Sequence, residues 1–240
     1  MRDTAPPGYR LTGTSTGADL SARRLSPDVN LDTYLVTGAE HSPGRSTVDV
    51  VEAAVAGGVD VVQLREKPAS ARDRYRLGRE LRELTRAADV TFLVNDRVDI
   101  AAAVDADGVH LGDDDLPVSV AREQLGDDAV VGRSVSTPAG AREAAAAGAD
   151  YLGVGAVYAT SSKDTDPEGT EIGLERLRAI DRAVDVPFVG IGGVTVDDAA
   201  DVVAAGADGV AVISAITAAD DPEAATAALT EAVADGRRRR

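Results

Sequence analysis

The stretch Ala204-Ala205-Gly206-Ala207-Asp208-Gly209-Val210-Ala211-Val212-Ile213-Ser214 shows the unit from which the fold is predicted. Its alanines end an Ala-rich, helix-like segment, a Gly-Ala-Asp link follows, and a Val-rich run then ends at a hydroxyl. Glycine in such a link can take the left-handed conformation that closes a helix. Similar links precede other strand-like runs at residues 58–60, 106–108 and 148–150. We therefore expect a chain of repeated helix–link–strand units.

Strand-like and helix-like segments alternate along most of the chain. The strand-like runs span residues 33–37, 59–64, 91–95, 108–111, 130–135, 151–157, 187–191 and 209–214. The helix-like segments that follow them span residues 46–56, 70–88, 97–104, 118–125, 138–147, 173–184, 197–205 and 222–234. Strict alternation requires a parallel sheet, and eight right-handed crossovers without a long reversal close into a (β/α)8 TIM barrel. An open dinucleotide-binding sheet is disfavoured because no Gly-x-Gly-x-x-Gly turn follows the first run.

The barrel is predicted to occupy one domain, residues 29–235. Residues 1–28 are rich in Gly, Ser, Thr, Pro and Arg and lack periodicity, so we expect a flexible, disordered N-terminal extension. Residues 236–240 end in four arginines, and a run of like charges predicts a solvated basic tail.

Composition excludes several classes of function. The chain has no cysteine and two histidines, which excludes thiolate and multi-His metal centres. A formal charge of −16 disfavours nucleic acid and anionic membranes as partners. No apolar run is long enough to span a bilayer and no signal peptide is recognisable, so we expect a cytoplasmic protein with small-molecule substrates. The composition is also compatible with a homo-oligomer.

Polar side chains at the ends of the strand-like runs are the candidates for chemistry, since barrels of this type place their active sites there. Two are the only lysines of the chain, Lys67 and Lys163, in a protein that otherwise uses arginine at its surface. Together with Arg65 they could neutralise a diphosphate and stabilise it as a leaving group. Carboxylates after the third and fourth runs suit Mg²⁺, which usually takes one or two of them.

A second group of candidates follows the last two strand-like runs. The turn Gly190-Ile191-Gly192-Gly193 and the backbone near Ser214 lie where many barrels bind phosphate. Two phosphate-binding regions predict two phosphorylated substrates. Simpler interpretations remain open for single motifs: an acidic turn at Asp113–Asp115, packing space at the glycines, and a helix N-cap at Asn95-Asp96. His41 and His110 are assigned to structure, because a lone histidine is weak evidence of function.

At these positions the sequence closely resembles the thiamine-phosphate synthase (thiamine-phosphate pyrophosphorylase) family, from about Leu31 to Ala234. The matching segments are Val62-Gln63-Leu64-Arg65-Glu66-Lys67, Asn95-Asp96-Arg97, Gly108-Val109-His110-Leu111-Gly112 with Asp115, Gly132-Arg133-Ser134, Gly155 to Lys163, Gly190 to Gly193 and Val212 to Ile216. The first motif and Thr160-Ser161-Ser162-Lys163 are specific, whereas a Gly-Gly turn alone is not.

The resemblance implies a Mg²⁺-dependent transferase that condenses 4-amino-2-methyl-5-(diphosphooxymethyl)pyrimidine with 4-methyl-5-(2-phosphooxyethyl)thiazole, giving thiamine phosphate and pyrophosphate. It implies Mg²⁺ ligation by Asp96 and Asp115. The residues implied at the pyrimidine diphosphate are Gln63, Leu64, Arg65, Glu66, Lys67, Asn95, Ser134 and Lys163. Those implied at the thiazole phosphate are Thr160, Ser161, Ser162, Gly193, Ile213 and Ser214. The candidate catalytic residues are Arg65, Lys67, Lys163 and Ser134.

The chain departs from the family pattern at a few positions. Ala156 and Ala159 stand where the family often has proline, and Ser162 stands where threonine is common, which keeps the hydroxyl. Two alternatives remain: a thiazole tautomerase-type isomerase and a non-catalytic barrel that binds thiamine intermediates. The related tautomerases use a histidine at the position of Ser136, so this serine argues against the isomerase.

Overall fold

The computed structural model describes residues 29–160 and 171–240, and its centre is a closed barrel of eight parallel strands in the order β1 to β8. The strands are β1 (Thr33–Val36), β2 (Val61–Leu64), β3 (Thr91–Asn95), β4 (Gly108–Leu111), β5 (Val130–Val135), β6 (Tyr151–Val154), β7 (Phe188–Ile191) and β8 (Gly209–Val212). The predicted (β/α)8 fold is therefore confirmed. The expected N-terminal extension, residues 1–28, lies outside the described residues.

Helices surround the barrel. They are α1 (Thr47–Ala56), α2 (Ala71–Ala87), α3 (Val98–Val104), α4 (Val118–Leu125), α5 (Pro138–Ala146), α6 (Gly173–Asp181), α7 (Val196–Ala204), a short α8 (Ser214–Thr217) and α9 (Pro222–Arg239). Several begin directly after a capping side chain, as at Ser46 and Ser70, whose hydroxyls accept backbone N–H bonds from Asp49 and Asp73. The predicted starts at residues 46 and 70 had counted these caps as helix. In the described part of the chain, no helix combines the length and apolar character needed to cross a bilayer.

The core has two layers. The outer layer packs Val, Leu and Ile from the strands against alanines and valines of the helices. The inner layer fills the barrel with side chains that alternate with these along the strands, among them Tyr34, Leu93, Tyr151 and Val189. Because the small residues of the helices let them approach the strands closely, a chain with few aromatics still closes a dense core.

The predicted link motif forms the same contact four times at the amino-terminal rim. An aspartate precedes each even-numbered strand, and both its backbone N–H and its carboxylate bond to one residue of the preceding odd-numbered strand. The pairs are Asp60 with Thr33, Asp107 with Phe92, Asp150 with Val131 and Asp208 with Phe188, and the carboxylates accept those residues' N–H groups at 2.8–3.0 Å. Gly58, Gly148 and Gly206 have positive φ angles, as the motif predicted. We call these four pairs the rim clamps.

Two predicted boundaries were wrong because of tertiary contacts. The sixth run was expected to reach residue 157, but β6 ends at Val154, and Val157 instead donates its N–H to the carbonyl oxygen of Ile191, the last residue of β7. The last helix was expected to end at residue 234 and be followed by a solvated tail. Instead α9 runs to Arg239, because Gly236 packs against the backbone of Ala200 in α7, where a Cβ would meet the carbonyl oxygen at 2.5 Å.

The arginines at the C-terminus are consequently part of the folded helix. Arg237 pairs with Asp32, Arg239 lies 3.2 Å from Asp201, and Arg240 lies 2.8 Å from Asp181. These contacts hold the end of α9 across the amino-terminal rim. Their side chains stay largely exposed, so each pair contributes little on its own.

We expect the Asp150→Ala substitution to lower the free energy of unfolding by about 2–4 kcal/mol, because it removes the acceptor of the Val131 N–H and the one carboxylate that pairs with the largely buried Arg122 guanidinium, which then keeps only carbonyl acceptors. Urea denaturation at fixed salt measures this. The matched control is Asp105→Asn, which changes an exposed ion pair with Arg86 and should change stability by no more than about 0.5 kcal/mol. Equal losses in both variants would contradict a stabilising role for the rim clamps.

Candidate active site

A cavity of about 320 Å³ opens at the carboxyl ends of the strands and contains most of the predicted pyrimidine-diphosphate residues. The predicted residues that line it are Gln63, Arg65, Lys67, Asn95, Asp96, Asp115 and Ser134. They come from β2 to β5 and the loops after them, so adjacency in the closed barrel brings together groups that are up to 71 residues apart in sequence (63 to 134). We call this the cation cavity.

Two carboxylates meet inside the cation cavity. Asp96 and Asp115 lie close together, and burial, followed by the proximity of Asp115, raises the pKa of Asp96 to about 6. Asp96 takes a left-handed conformation with φ of 63°, and its N–H bonds to the carbonyl oxygen of His110 at 2.9 Å. This backbone bond fixes the turn after β3 to the end of β4 and so aims the Asp96 carboxylate at the loop that holds Asp115.

Basic side chains lie beside these carboxylates. The Lys67 ammonium is 3.8 Å from the Asp96 carboxylate, and Lys67 and Arg65 both act to lower the pKa of Asp96. Arg65 is buried. Its backbone N–H donates to the Thr37 hydroxyl at 2.9 Å, which ties the end of β2 to the end of β1. Burial of a guanidinium beside an open cavity keeps it in a low-dielectric setting, where it interacts strongly with an anion.

The loop after β4 is held by its own backbone and by Arg133. The Gly112 N–H donates to the Asp115 carboxylate at 2.6 Å, and Arg133 reaches from β5 to the carbonyl of Leu111 and to the Asp113 carboxylate at 2.8 Å. Sequence analysis noted Arg133 within a motif but gave it no role. Its side chain braces the segment that orients Asp115.

A second cavity, of about 290 Å³, lies at the ends of β7 and β8. It is lined by the predicted residues Thr160, Gly193, Ile213 and Ser214, together with Gly192 and Thr195. Gly193 has φ of 65°, and a Cβ there would meet the Ala159 carbonyl oxygen at 2.4 Å. The glycine turn is therefore required for close packing against the segment that follows β6, and its backbone also lines an open cavity. We call this the glycine cavity.

The two cavities adjoin each other. Ile191 and Ala211, from the interior faces of β7 and β8, line both of them. A molecule in one cavity therefore lies next to a molecule in the other. Ser161, Ser162 and Lys163, which were predicted to bind the substrates, lie outside the described residues, and Thr160 just before them lines the glycine cavity.

Comparison with known proteins agrees with this arrangement. Residues 33–216 match the model of a family described as thiamine monophosphate synthase. The thiamine-phosphate synthase of Natronomonas pharaonis is 74% identical over 200 residues, which cover 83% of this chain and 94% of that protein. The chain belongs to the thiamine monophosphate synthase family.

Other relatives support the same assignment. The thiamine-phosphate synthase of Haloarcula marismortui is 67% identical over 210 residues, which cover 87% of this chain and 100% of that protein. A thiamine phosphate pyrophosphorylase structure from Pyrococcus furiosus superposes with a TM-score of 0.79 at 42% identity, covering 87% of this chain and 98% of that one. The resemblance stated from the motifs is confirmed, and the chain is a transferase of thiamine biosynthesis with thiamine-phosphate synthase activity.

Two residues assigned to the substrate from the family motif have side chains elsewhere in the barrel. Leu64 packs in the outer core layer, within 3.3 Å of where a Cβ on Gly78 would lie. The buried Glu66 carboxylate accepts bonds from the Ala39 N–H at 3.1 Å and the Thr47 hydroxyl at 2.9 Å. The Leu64 side chain anchors the end of β2 in the core and the Glu66 side chain holds the segment after β1, so neither residue lines the cation cavity.

Three residues around the cation cavity were not predicted as site residues, two in its wall and one beneath them. Tyr34 lines the cation cavity from β1, and His110, which was assigned to structure, lines it from β4. Tyr151 on β6 is fully buried beneath them and bonds to both. An aromatic residue within an apolar strand has no local signal that separates packing from hydrogen bonding, so these positions could not be recognised from the pattern alone.

We expect Asp96→Asn to stabilise the metal-free protein at pH 8 while lowering its activity. Because the folded pKa of Asp96 is raised from 3.8 to about 6, the wild-type fold loses stability as pH rises from about 4 through 6, and the amide removes this loss. Melting temperatures of both proteins in EDTA should differ most at pH 8 and converge near pH 4. A difference that is unchanged across this range would contradict the raised pKa.

Proposed function

We propose that the cation cavity binds the aminopyrimidine diphosphate, that the glycine cavity binds the thiazole phosphate, and that the two substrates react across their common wall. The observation that supports this is the pair of adjoining cavities, one lined by the buried Arg65, by Lys67 and by two carboxylates, and the other by a glycine turn. A transferase that joins two phosphorylated molecules needs two such sites side by side.

In the cation cavity, Arg65, Lys67 and Lys163 neutralise the diphosphate. Gln63, Asn95 and Ser134 supply polar groups that orient the pyrimidine ring, and Leu64 and Glu66 contribute through the loop that they hold. The guanidinium of Arg65 can bond two phosphate oxygens at once, which the ammonium groups of the lysines cannot do. The positive charge that stabilises the leaving group therefore lies on the diphosphate side of the breaking bond.

Asp96 and Asp115 are suited to hold Mg²⁺. They are two half-buried carboxylates that lie close together, and a divalent cation between them would relieve the repulsion that, together with burial, raises the pKa of Asp96. Nowhere in the described chain do three or more His, Asp or Glu side chains gather as a metal group. This fits Mg²⁺, which accepts two protein carboxylates and completes its shell with water and phosphate oxygens. When bound, the ion would neutralise charge on the diphosphate.

In the glycine cavity, backbone N–H groups around Gly193 and Ser214 and the hydroxyls of Thr160, Ser161 and Ser162 bind the thiazole phosphate, with Ile213 beside them. The left-handed turn at Gly192 and Gly193 exposes the backbone to the cavity without a side chain in the way. Backbone donors of this kind bind phosphate without adding net charge.

The reaction proceeds by loss of the leaving group before capture. The bond between the pyrimidine methylene carbon and the diphosphate oxygen breaks, and its electron pair leaves with pyrophosphate. The lone pair of the thiazole nitrogen then forms a bond to the methylene cation, and the positive charge resides on the thiazolium ring of thiamine phosphate. No proton is transferred in either step, so the proposed reaction depends on charge neutralisation and requires no general base.

Incubation of the purified chain with both substrates and Mg²⁺ should give thiamine phosphate and pyrophosphate in equal amounts. Because the diphosphate charge must be neutralised for departure, EDTA should abolish turnover and excess Mg²⁺ should restore it. Thiamine phosphate is measured by chromatography, and the other product is measured by an assay of pyrophosphate release. Full turnover in EDTA would contradict the proposed role of Asp96 and Asp115.

We expect Arg65→Lys to lower kcat by roughly 100-fold, because the ammonium cannot replace the two-point contact with the leaving group. The same reasoning predicts a loss of similar or larger size for Lys163→Ala. The matched control is Arg76→Lys on the exposed face of α2, where the side chain is 70% exposed and activity should be unchanged. Near-normal kcat in Arg65→Lys would exclude a direct role in leaving-group stabilisation.

A further inference from the structure

A continuous chain of hydrogen bonds crosses the interior of the barrel beneath the cation cavity. The Gln63 amide lies 2.5 Å from the Tyr34 hydroxyl, which lies 2.8 Å from the Tyr151 hydroxyl. The Tyr151 hydroxyl lies 2.8 Å from His110 Nδ1, and His110 Nε2 lies 2.9 Å from the Ser134 hydroxyl. The chain thus begins and ends at two residues of the predicted pyrimidine site, Gln63 and Ser134.

The backbone provides space for this chain in the centre of the barrel. A Cβ on Gly132 would meet the Tyr151 ring at 2.2 Å, and a Cβ on Gly153 would meet the His110 ring at 2.9 Å. Tyr34 and Tyr151 are 1% and 0% exposed. Two glycines on neighbouring strands therefore make room for polar rings where apolar side chains would otherwise fill the barrel. A buried polar chain is costly unless every member is paired, so its members are interdependent.

Donor and acceptor counting shows how the chain is oriented. With the Gln63 amide nitrogen donating to Tyr34, the Tyr34 O–H can donate to Tyr151 and the Tyr151 O–H to His110 Nδ1. His110 then holds its proton on Nε2 and donates it to Ser134. In this arrangement each hydroxyl gives one hydrogen bond and receives one. The Ser134 O–H becomes a donor toward the cavity, and the Gln63 carbonyl oxygen becomes an acceptor there.

We propose that Tyr34 and Tyr151 are positioning residues that couple the orientation of the Gln63 amide to the direction of the Ser134 hydroxyl, and so present one acceptor and one donor to the pyrimidine. This rests on the proposed pyrimidine site. A 4-aminopyrimidine has an amino donor beside a ring-nitrogen acceptor, which is the complementary pair. Reversal of the Gln63 amide would reverse every bond of the chain and present the opposite pair, so the two ends act as one unit.

The kinetic test uses Tyr34→Phe and Tyr151→Phe, which remove one hydroxyl each and keep the ring. KM for the pyrimidine diphosphate should rise by roughly 3- to 10-fold in each variant, the cost of one hydrogen bond. KM for the thiazole phosphate and inhibition by pyrophosphate should not change, because neither ligand uses the chain. Tyr75→Phe, on the exposed surface of α2, is the matched control. An equal rise in both KM values, or no rise in either variant, would overturn the proposal.

The double variant distinguishes a coupled chain from two independent packing residues. Once the chain is broken at Tyr34, a second break at Tyr151 has little left to disrupt, so the double variant should cost no more than the more damaging single variant. Fully additive effects would show that the two tyrosines act independently and would refute the coupling.

A spectroscopic test needs neither substrate nor activity. The protein has two histidines, so its ¹⁵N-histidine spectrum is simple. The His41→Gln variant identifies which signals belong to His110. In the wild-type protein, His110 should be a single neutral tautomer protonated at Nε2. Tyr151→Phe should shift the resonance of the unprotonated Nδ1, whereas Tyr75→Phe should not. A wild-type tautomer protonated at Nδ1 would refute the orientation of the chain.

These readouts separate the two hypotheses. A wild-type protein that binds neither substrate would remove the proposed pyrimidine site, yet the His110 tautomer would still report the chain. An active enzyme with an unaltered KM in both tyrosine variants would leave the pyrimidine site intact and remove the role of the tyrosines. If Tyr151→Phe fails to fold, Tyr34→Phe and the wild-type spectrum still decide the proposal.

Discussion

Closure of eight parallel strands is the constraint on which the rest of the molecule depends, because it directs all strand carboxyl ends to one rim. The opposite rim holds the sheet together. There, the four rim clamps pair each odd-numbered strand with the next one through an aspartate that bonds twice to the same residue. The amino-terminal rim and the core supply the stability of the fold. The carboxyl-terminal rim can therefore contain groups that destabilise it.

Asp96 and Asp115 show such a destabilising arrangement. The two carboxylates are half-buried and close together, so they repel each other, and the raised pKa of Asp96 reflects the cost. Arg65 and Lys67 offset part of it, because both lower that pKa. In the proposed function the same crowding favours a divalent cation, because a positive charge between the carboxylates would relieve their repulsion. Stability and function therefore make opposite demands on this rim.

The sequence predicted those features that local chemistry determines. The strands and the link glycines follow from periodicity and turn chemistry, and the family resemblance predicted several of the residues that line the two cavities. Features set by contacts between distant segments were missed: β6 ends early because Val157 bonds to Ile191 at the end of β7, and α9 is long because Gly236 fits against Ala200. The roles of Leu64 and Glu66 were equally inaccessible, since a motif shows which residues recur and not which way their side chains point.

The net charge of −16 and an anionic substrate impose opposite requirements, and distance resolves them. Charges beyond about 10 Å are largely screened at 0.1 M salt, and in molar salt the screening length falls to about 3 Å. Repulsion from the surface carboxylates therefore weakens as salt rises. Contacts inside the cation cavity are screened far less, because Arg65 is buried and the Lys67 ammonium is close to its partners. Salt thus screens the long-range repulsion between the surface carboxylates and an anionic substrate, but it leaves the short-range attraction to Arg65 and Lys67. An acidic surface is therefore compatible with the proposed diphosphate site.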